Sequence, residues 1–87
     1  MQTAIVIGAG LSGISVAARL AVHGFDVTVL ERLAEPGGRC GRLASGEYSF
    51  DTGPTLYLMP GVFEEAFSAL GESVADHLNL LRVDPTY

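Results

Sequence analysis

The sequence contains no lysine, no tryptophan and a single cysteine, Cys40, among its 87 residues. Its five cations are all arginines, scattered along the chain, and ten acidic residues give a formal net charge of -5. Nucleic-acid binding requires clustered cations that neutralise phosphates, so we expect no nucleic-acid partner. One cysteine excludes an internal disulfide framework, and with two histidines it supplies too few ligands for a structural zinc site. We therefore expect no metal site and a reducing, cytoplasmic location.

Long apolar runs are missing as well. No stretch approaches the ~20 residues of a membrane span, and the first residues lack the basic region of a signal peptide. Hydrophobic residues still make up 48% of the chain, which is too apolar for a disordered segment. A separate domain of this size hides only roughly 60–65% of its unfolded surface. We therefore interpret residues 1–87 as part of a larger protein and expect no membrane-spanning segment within them, although peripheral membrane contact is compatible with the sequence.

The first third of the chain predicts a strand–helix–strand unit of α/β type. Residues 3–8 are apolar, rich in β-branched side chains and closed by glycine, which is typical of a strand buried on both faces. Apolar residues at helical spacing predict a helix from Ser12 to His23. Residues 26–30 predict a second strand, and a unit of this size implies parallel pairing.

The remainder predicts smaller elements. Residues 42–44 and 48–50 flank Ser45-Gly46, a pattern that indicates an antiparallel hairpin. An amphipathic helix is expected from Pro60 until Gly71 ends it. We also predict a short helix in residues 73–78 and a strand in residues 78–83.

The strongest motif joins the first strand to the first helix: Gly8-Ala9-Gly10-Leu11-Ser12-Gly13. Gly8 permits a tight turn, Gly10 lets a pyrophosphate approach the backbone, and Gly13 lets the helix pack closely on the strand. The phosphates would lie on free N–H groups at the positive end of the helix. These spacings predict a dinucleotide-binding site.

An acidic residue, Glu31, ends the second strand, with seventeen residues between it and Gly13. A carboxylate there accepts hydrogen bonds from a ribose diol and repels a 2′-phosphate, which disfavours NADP. A second glycine pair follows in Gly37-Gly38-Arg39. It allows another close approach of the backbone to a cofactor, and the arginine can complement a diphosphate.

These residues, from Ala4 to Arg39, resemble the N-terminal FAD-binding segment of the flavin amine oxidase and carotenoid desaturase superfamily. Further on, Phe50 to Thr55, Pro60 and the ending Val83 to Tyr87 resemble the phytoene desaturase branch. The resemblance implies an incomplete FAD/NAD(P)-binding Rossmann-like three-layer domain in residues 1–87. It also implies FAD as the cofactor, because NAD-dependent dehydrogenases do not usually carry the second glycine pair.

The same resemblance implies a role for each matching residue. Gly8 to Gly13 would surround the FAD diphosphate, Glu31 would hold the adenosine ribose, and Arg32 would lie near the adenine. Gly37, Gly38 and Arg39 would border the ribityl and diphosphate stretch. The flavin ring would be approached by Gly53, Pro54, Thr55 and Leu56. No catalytic residue is identified.

The resemblance therefore implies that the chain is an N-terminal piece of an FAD-dependent oxidoreductase. That enzyme would dehydrogenate a long isoprenoid hydrocarbon, with the flavin as hydride acceptor. Three alternatives stay open. The enzyme could oxidise amines or protoporphyrinogen with the same cofactor. The 87 residues could be an inactive nucleotide-binding fragment, or the site could bind NAD.

Overall fold

The computed structural model describes residues 1–54 and 56–84, so Thr55 and residues 85–87 lie outside the description. Seven elements follow one another along the chain. They are β1 (Thr3–Ile7), α1 (Leu11–Val22), β2 (Asp26–Leu30), β3 (Arg42–Ser45), β4 (Tyr48–Asp51), α2 (Pro60–Ser68) and a single 3₁₀ turn at Val74–Asp76. The predicted α/β class is confirmed.

The two strands β1 and β2 pair in parallel, with Thr3 opposite Asp26 and Ile7 opposite Leu30. Helix α1 connects them and packs on one face of this sheet, where Ala17 is buried. The approach of the helix is close at Gly13, since a Cβ there would overlap the carbonyl oxygen of Gly8 and lie 3.5 Å from Val6. The predicted parallel strand–helix–strand unit and the packing role of Gly13 are therefore confirmed.

The other face of this sheet is open, and the prediction that the first strand is buried on both faces is wrong. Ile5 and Ile7, which point away from α1, are 68% and 86% exposed. The reason is that α1 is the one helix that packs on this sheet in the part of the chain the structure describes. These residues supply two layers of the expected three.

Strands β3 and β4 form the predicted antiparallel hairpin, with Arg42 opposite Asp51 and Ser45 opposite Tyr48. The turn is Gly46-Glu47 and not Ser45-Gly46, because β3 continues one residue further than its sequence pattern indicated. Gly46 has a φ of 60°. Glycine at the first central position suits a two-residue turn whose twist matches that of the strands.

The region after the hairpin contains α2 and the 3₁₀ turn, which confirms both predicted helices, although α2 ends at Ser68, before Gly71. Phe63 of α2 stacks on Tyr57 with ring centroids 4.6 Å apart. The predicted strand in residues 78–83 is wrong. A strand needs a neighbour that completes its hydrogen bonds, and no described strand pairs with this segment.

The described chain is loosely assembled. Its radius of gyration is 15.4 Å, against about 12 Å for a compact domain of this length. Only Ala9, Ala17 and Val74 are buried hydrophobic residues in the described part. Within residues 1–54 and 56–84, no helix combines the length and apolar character that crossing a membrane would require.

Candidate functional site

The N-terminus of α1 is the first component of the site. Gly10 is its N-cap residue, and the first helical hydrogen bond runs from Ile14 N–H to the Gly10 carbonyl at 3.0 Å. No side chain caps this terminus among the described residues, and the first turn carries no acidic residue. The N–H groups of the first turn and the positive end of the helix dipole therefore suit an anion such as a phosphate.

Ala9 is the centre of the glycine-rich loop and is only 5% exposed. Its N–H donates a hydrogen bond of 2.8 Å to Oε1 of Glu31. Its carbonyl accepts a hydrogen bond of 2.7 Å from the N–H of Gly37. Both backbone polar groups of Ala9 are thus hydrogen-bonded to residues that the sequence analysis singled out, Glu31 and Gly37.

The carboxylate of Glu31 lies between the loop and the end of β2. Besides the bond from Ala9, its Oε2 accepts a hydrogen bond of 2.9 Å from the N–H of Leu33. The N–H groups of Leu33 and Ala9 lower the pKa of Glu31 below its ordinary value. The side chain is therefore an anion at neutral pH, and carboxylate oxygens can accept further bonds from ribose hydroxyls.

The second glycine pair packs directly against the first motif. Gly38 has a φ of 60°, and a Cβ on it would lie 3.0 Å from the Cα of Gly10. The loop closes on itself through a 3.0 Å hydrogen bond from Cys40 N–H to the Gly37 carbonyl. A side chain at position 38 would thus require both a disfavoured backbone conformation and a shift of Gly10.

A third backbone segment packs on the other side of this loop. A Cβ on Gly53 would overlap the carbonyl oxygen of Arg39, and Thr52 N–H donates a 3.0 Å hydrogen bond to the Gly41 carbonyl. Leu56, which follows this segment, is 72% exposed. It borders an apolar groove of about 680 Å³, lined also by Tyr57, Leu58, Pro60, Leu80, Leu81, Arg82 and Val83.

The structure therefore brings together most of the residues that the sequence singled out. The contacts form one continuous set, made by backbone atoms and by the carboxylate of Glu31, that joins Gly8 to Gly13, Glu31, Gly37, Gly38 and Gly53. The side chains of Arg32 and Arg39 are exposed, and Arg39 joins the set through its carbonyl. Thr55 lies outside the described residues.

Sequence reasoning missed three residues that build this region: Leu33, Gly41 and Thr52. Gly41 left a usable signal, because it is the third glycine within five residues. A Cβ there would lie 3.1 Å from Oγ1 of Thr52. Leu33 and Thr52 contribute backbone N–H groups, which any residue except proline carries, so their side chains gave no indication.

Comparison with known protein families decides how the glycine-rich site is classified. The family described as NAD(P)-binding Rossmann-like domain matches residues 6–73, which include the glycine-rich loop, Glu31 and the second glycine pair. The chain belongs to this family. Membership of this family indicates a dinucleotide cofactor. The uncapped N-terminus of α1 and the carboxylate of Glu31 beside it agree with this indication.

Curated relatives of this Rossmann-like domain include carotenoid enzymes. It is 54% identical over 83 residues to the zeta-carotene-forming phytoene desaturase of Myxococcus xanthus, covering 95% of this chain and 16% of that protein. It is 51% identical to the phytoene dehydrogenase of Streptomyces griseus, with the same shares covered. Identity to the phytoene desaturase of Phycomyces blakesleeanus is 52%, over 95% of this chain and 14% of that protein. The chain spans about one sixth of the length of these relatives.

A solved structure shares the fold of the Rossmann-like domain. The crystal structure of an oxidoreductase from Methanosarcina mazei matches it with a TM-score of 0.55 and 44% sequence identity, over 63% of this chain and 13% of that one. The expected resemblance to phytoene desaturases and the expected Rossmann-like fold are both confirmed.

Proposed function

We propose that this Rossmann-like domain binds FAD and forms the nucleotide-binding end of an oxidoreductase that dehydrogenates a long isoprenoid hydrocarbon. The observation that carries the proposal is identity above 50% to phytoene desaturases or dehydrogenases of three organisms over 95% of the chain. The proposal includes the interpretation of residues 1–87 as part of a longer protein, since these relatives are about six times as long.

Each part of the loop has a chemical role in this proposal. The first-turn N–H groups of α1 would bind the diphosphate, since no described side chain competes for them. Glu31, held in its ionised form, would accept hydrogen bonds from the ribose diol of the adenosine. Arg32 would lie near the adenine, and Arg39 would border the diphosphate, where its guanidinium can complement negative charge. FAD, when bound, supplies the hydride acceptor.

The choice of FAD over NAD is supported by the second glycine pair. Gly37 and Gly38 are packed on the glycine-rich loop by a 2.7 Å hydrogen bond and a close backbone contact. They therefore border the same site as the phosphate-binding terminus. NAD-dependent dehydrogenases do not usually carry such a pair, and the flavin half of FAD would extend past it towards Gly53, Pro54 and Leu56.

An apolar substrate is supported by the groove that begins at Leu56. Its volume of about 680 Å³ falls in the range of roughly 300–1,000 Å³ that small-molecule sites occupy. Its lining is apolar apart from Arg82, the hydroxyl of Tyr57 and backbone groups. Such a surface fits a hydrocarbon chain and offers little to an amine.

The cofactor is tested by the visible absorption spectrum of the protein purified with its downstream sequence, followed by release and identification of the bound nucleotide. A flavin spectrum with FAD released is the expected result. The substrate is tested by incubating that protein with phytoene and with alkylamines in parallel. Oxidation of the amines with phytoene unchanged would contradict the substrate assignment and leave the cofactor assignment intact.

NAD is the second candidate cofactor, because the family to which the chain belongs is described by NAD(P) binding. Titration of the same purified protein with FAD and with NADH separates the two. A well-folded, colourless protein that binds NADH and cannot be reconstituted with FAD would show that the second glycine pair has been misinterpreted.

We also propose a cytoplasmic protein that makes peripheral contact with membranes, because a long hydrocarbon substrate partitions into a bilayer. Flotation of the longer protein with phospholipid vesicles tests this point. Protein that stays in the dense fraction at every lipid concentration would contradict it.

A further inference from the structure

The Ala9 residue is fixed by the protein itself on both of its polar groups. Glu31 accepts its N–H at 2.8 Å and Gly37 donates to its carbonyl at 2.7 Å. These partners lie 22 and 28 residues away in the sequence, so neither bond is a consequence of local turn geometry.

The contact between Gly38 and Gly10 completes this arrangement. A methyl group at position 38 would come within 3.0 Å of the Gly10 Cα, and Gly38 already has the left-handed φ of 60°. Gly10 is the N-cap residue of α1, so any shift of its backbone moves the helix terminus that receives the phosphate. The second glycine pair thus controls the position of residues it does not neighbour in sequence.

We propose that Gly37 and Gly38 are positioning residues, which hold the Ala9–Gly10 segment in its phosphate-binding conformation before any ligand arrives. This inference rests on the proposed dinucleotide binding and adds a role to it. Pre-organisation of this kind raises affinity because the loop does not have to be ordered on binding. Gly37 and Gly38 would thus act on cofactor binding through the loop of residues 8–13, in addition to any direct contact with the cofactor.

The test compares Gly38→Ala with Gly46→Ala in the protein carried with its downstream sequence. Gly46 is a matched control, since its φ is also 60° and a Cβ on it meets nothing within 4 Å. Both variants therefore place alanine in the same disfavoured conformation, but only Gly38→Ala presses on Gly10. Affinity for FAD and for ADP is measured by calorimetry after removal of bound cofactor.

We expect Gly38→Ala to weaken FAD and ADP binding by a similar factor of about ten or more, because the loop would have to be ordered on binding, while Gly46→Ala leaves both unchanged. ADP lacks the flavin and ribityl half, so an equal loss locates the effect at the phosphate-binding loop. A loss confined to FAD would indicate direct contact of Gly38 with the other half of the cofactor and would overturn the inference.

A second measurement follows the amide exchange of the glycine-rich loop in the cofactor-free protein. Hydrogen–deuterium exchange resolved to the Ala9 N–H, which is bonded to Glu31, should be slow in the cofactor-free parent protein and in Gly46→Ala, and faster in Gly38→Ala. Weaker binding by Gly38→Ala with unchanged exchange would overturn the positioning role. Rapid exchange in the cofactor-free parent would overturn it as well, and this result does not depend on whether the variant folds.

Failure of the proposed function has a different signature. If the parent protein binds neither FAD nor ADP, dinucleotide binding itself is contradicted. If it binds both and the two glycine variants behave alike, only the positioning role is lost.

Discussion

A missing methyl group at Gly13 sets the distance between α1 and β1. A Cβ there would overlap the carbonyl oxygen of Gly8. We predict that Gly13→Ala forces the helix away from the strand and destabilises the fold by about 1–3 kcal/mol, the cost of overpacking a close contact. Urea unfolding of the longer protein measures the change.

Gly61 provides the matched control for this substitution. It lies in α2, where a Cβ would meet no atom within 4 Å. Gly61→Ala should be neutral or stabilising by up to about 1 kcal/mol, because alanine loses less backbone entropy in a helix than glycine. Equal destabilisation by both substitutions would show that the Gly8 contact is not the reason why position 13 is sensitive to alanine.

Glu31 is predicted to act on both the loop and the ligand. Glu31→Gln removes the charge that accepts the N–H groups of Ala9 and Leu33 and would face the ribose. Affinity for FAD should fall by on the order of tenfold to a hundredfold, as expected when a charged acceptor is lost. Glu35→Gln, which removes one negative charge from the same exposed loop, should leave affinity unchanged. Similar losses in both variants would assign the effect to net charge.

The lowered pKa of Glu31 also predicts a pH dependence. Hydrogen bonds from Leu33 and Ala9 favour the ionised side chain in the folded protein. Its stabilising contribution is therefore complete above the ordinary glutamate pKa of about 4.3 and is lost as the pH falls through the lowered value. The stability difference between the parent protein and Glu31→Gln should shrink on acidification. Urea midpoints of the two proteins that stay equally far apart in acid would contradict this expectation.

At this scale the sequence predicts which residues form the site better than how they contact each other. The spacing of Gly8, Gly10, Gly13 and Glu31 carries the chemistry of a dinucleotide loop, and these residues lie together in the fold. The bond from Ala9 to Glu31 and the contact of Gly53 with Arg39 had no signature. Each involves a backbone group and a partner distant in the sequence, and backbone groups are the same in every residue.

At the scale of elements, prediction succeeded where the determining pattern is local. The helical spacing in α1 and the alternation in β2 reproduced their limits to within one residue. The strand expected in residues 78–83 did not form, although its composition is suitable. Strand formation depends on a partner, and a partner is a property of the tertiary fold that a short apolar run does not encode.

The open face of the β1–β2 sheet leads to a prediction about the longer protein. Parallel sheets are normally covered on both faces, yet Ile7 is 86% exposed in this part of the chain. We predict that downstream sequence covers this face, so that Ile7→Thr in the longer protein costs about 1–3 kcal/mol in urea unfolding.

Val6→Thr serves as the reference for Ile7→Thr. Val6 faces α1 and is already half-buried, so its substitution should be destabilising by a similar amount. A cost below about 0.5 kcal/mol for Ile7→Thr, the range of surface substitutions, together with a clear cost for Val6→Thr, would show that this face stays exposed.

At the scale of the whole molecule, the 87 residues bury too little to be stable alone. Ala9, Ala17 and Val74 are the buried hydrophobic residues of the described part, and two of them are alanines. Large apolar side chains such as Ile5, Leu81 and Val83 are more than two-thirds exposed. A cooperative fold needs apolar burial to offset the conformational entropy of the chain. The apolar surface buried in the described residues is too small to provide this offset.

We therefore predict that the isolated 87-residue chain unfolds without a sharp transition and binds a hydrophobic dye such as ANS, as loosely packed states do. The same segment within the longer protein should melt cooperatively and bind the dye weakly. Circular dichroism on heating and dye fluorescence make the comparison, with size-exclusion chromatography to detect association. A monomeric isolated chain with one sharp transition and no dye binding would show that these residues fold on their own, and the exposed apolar faces would then need another explanation than the absence of their covering sequence.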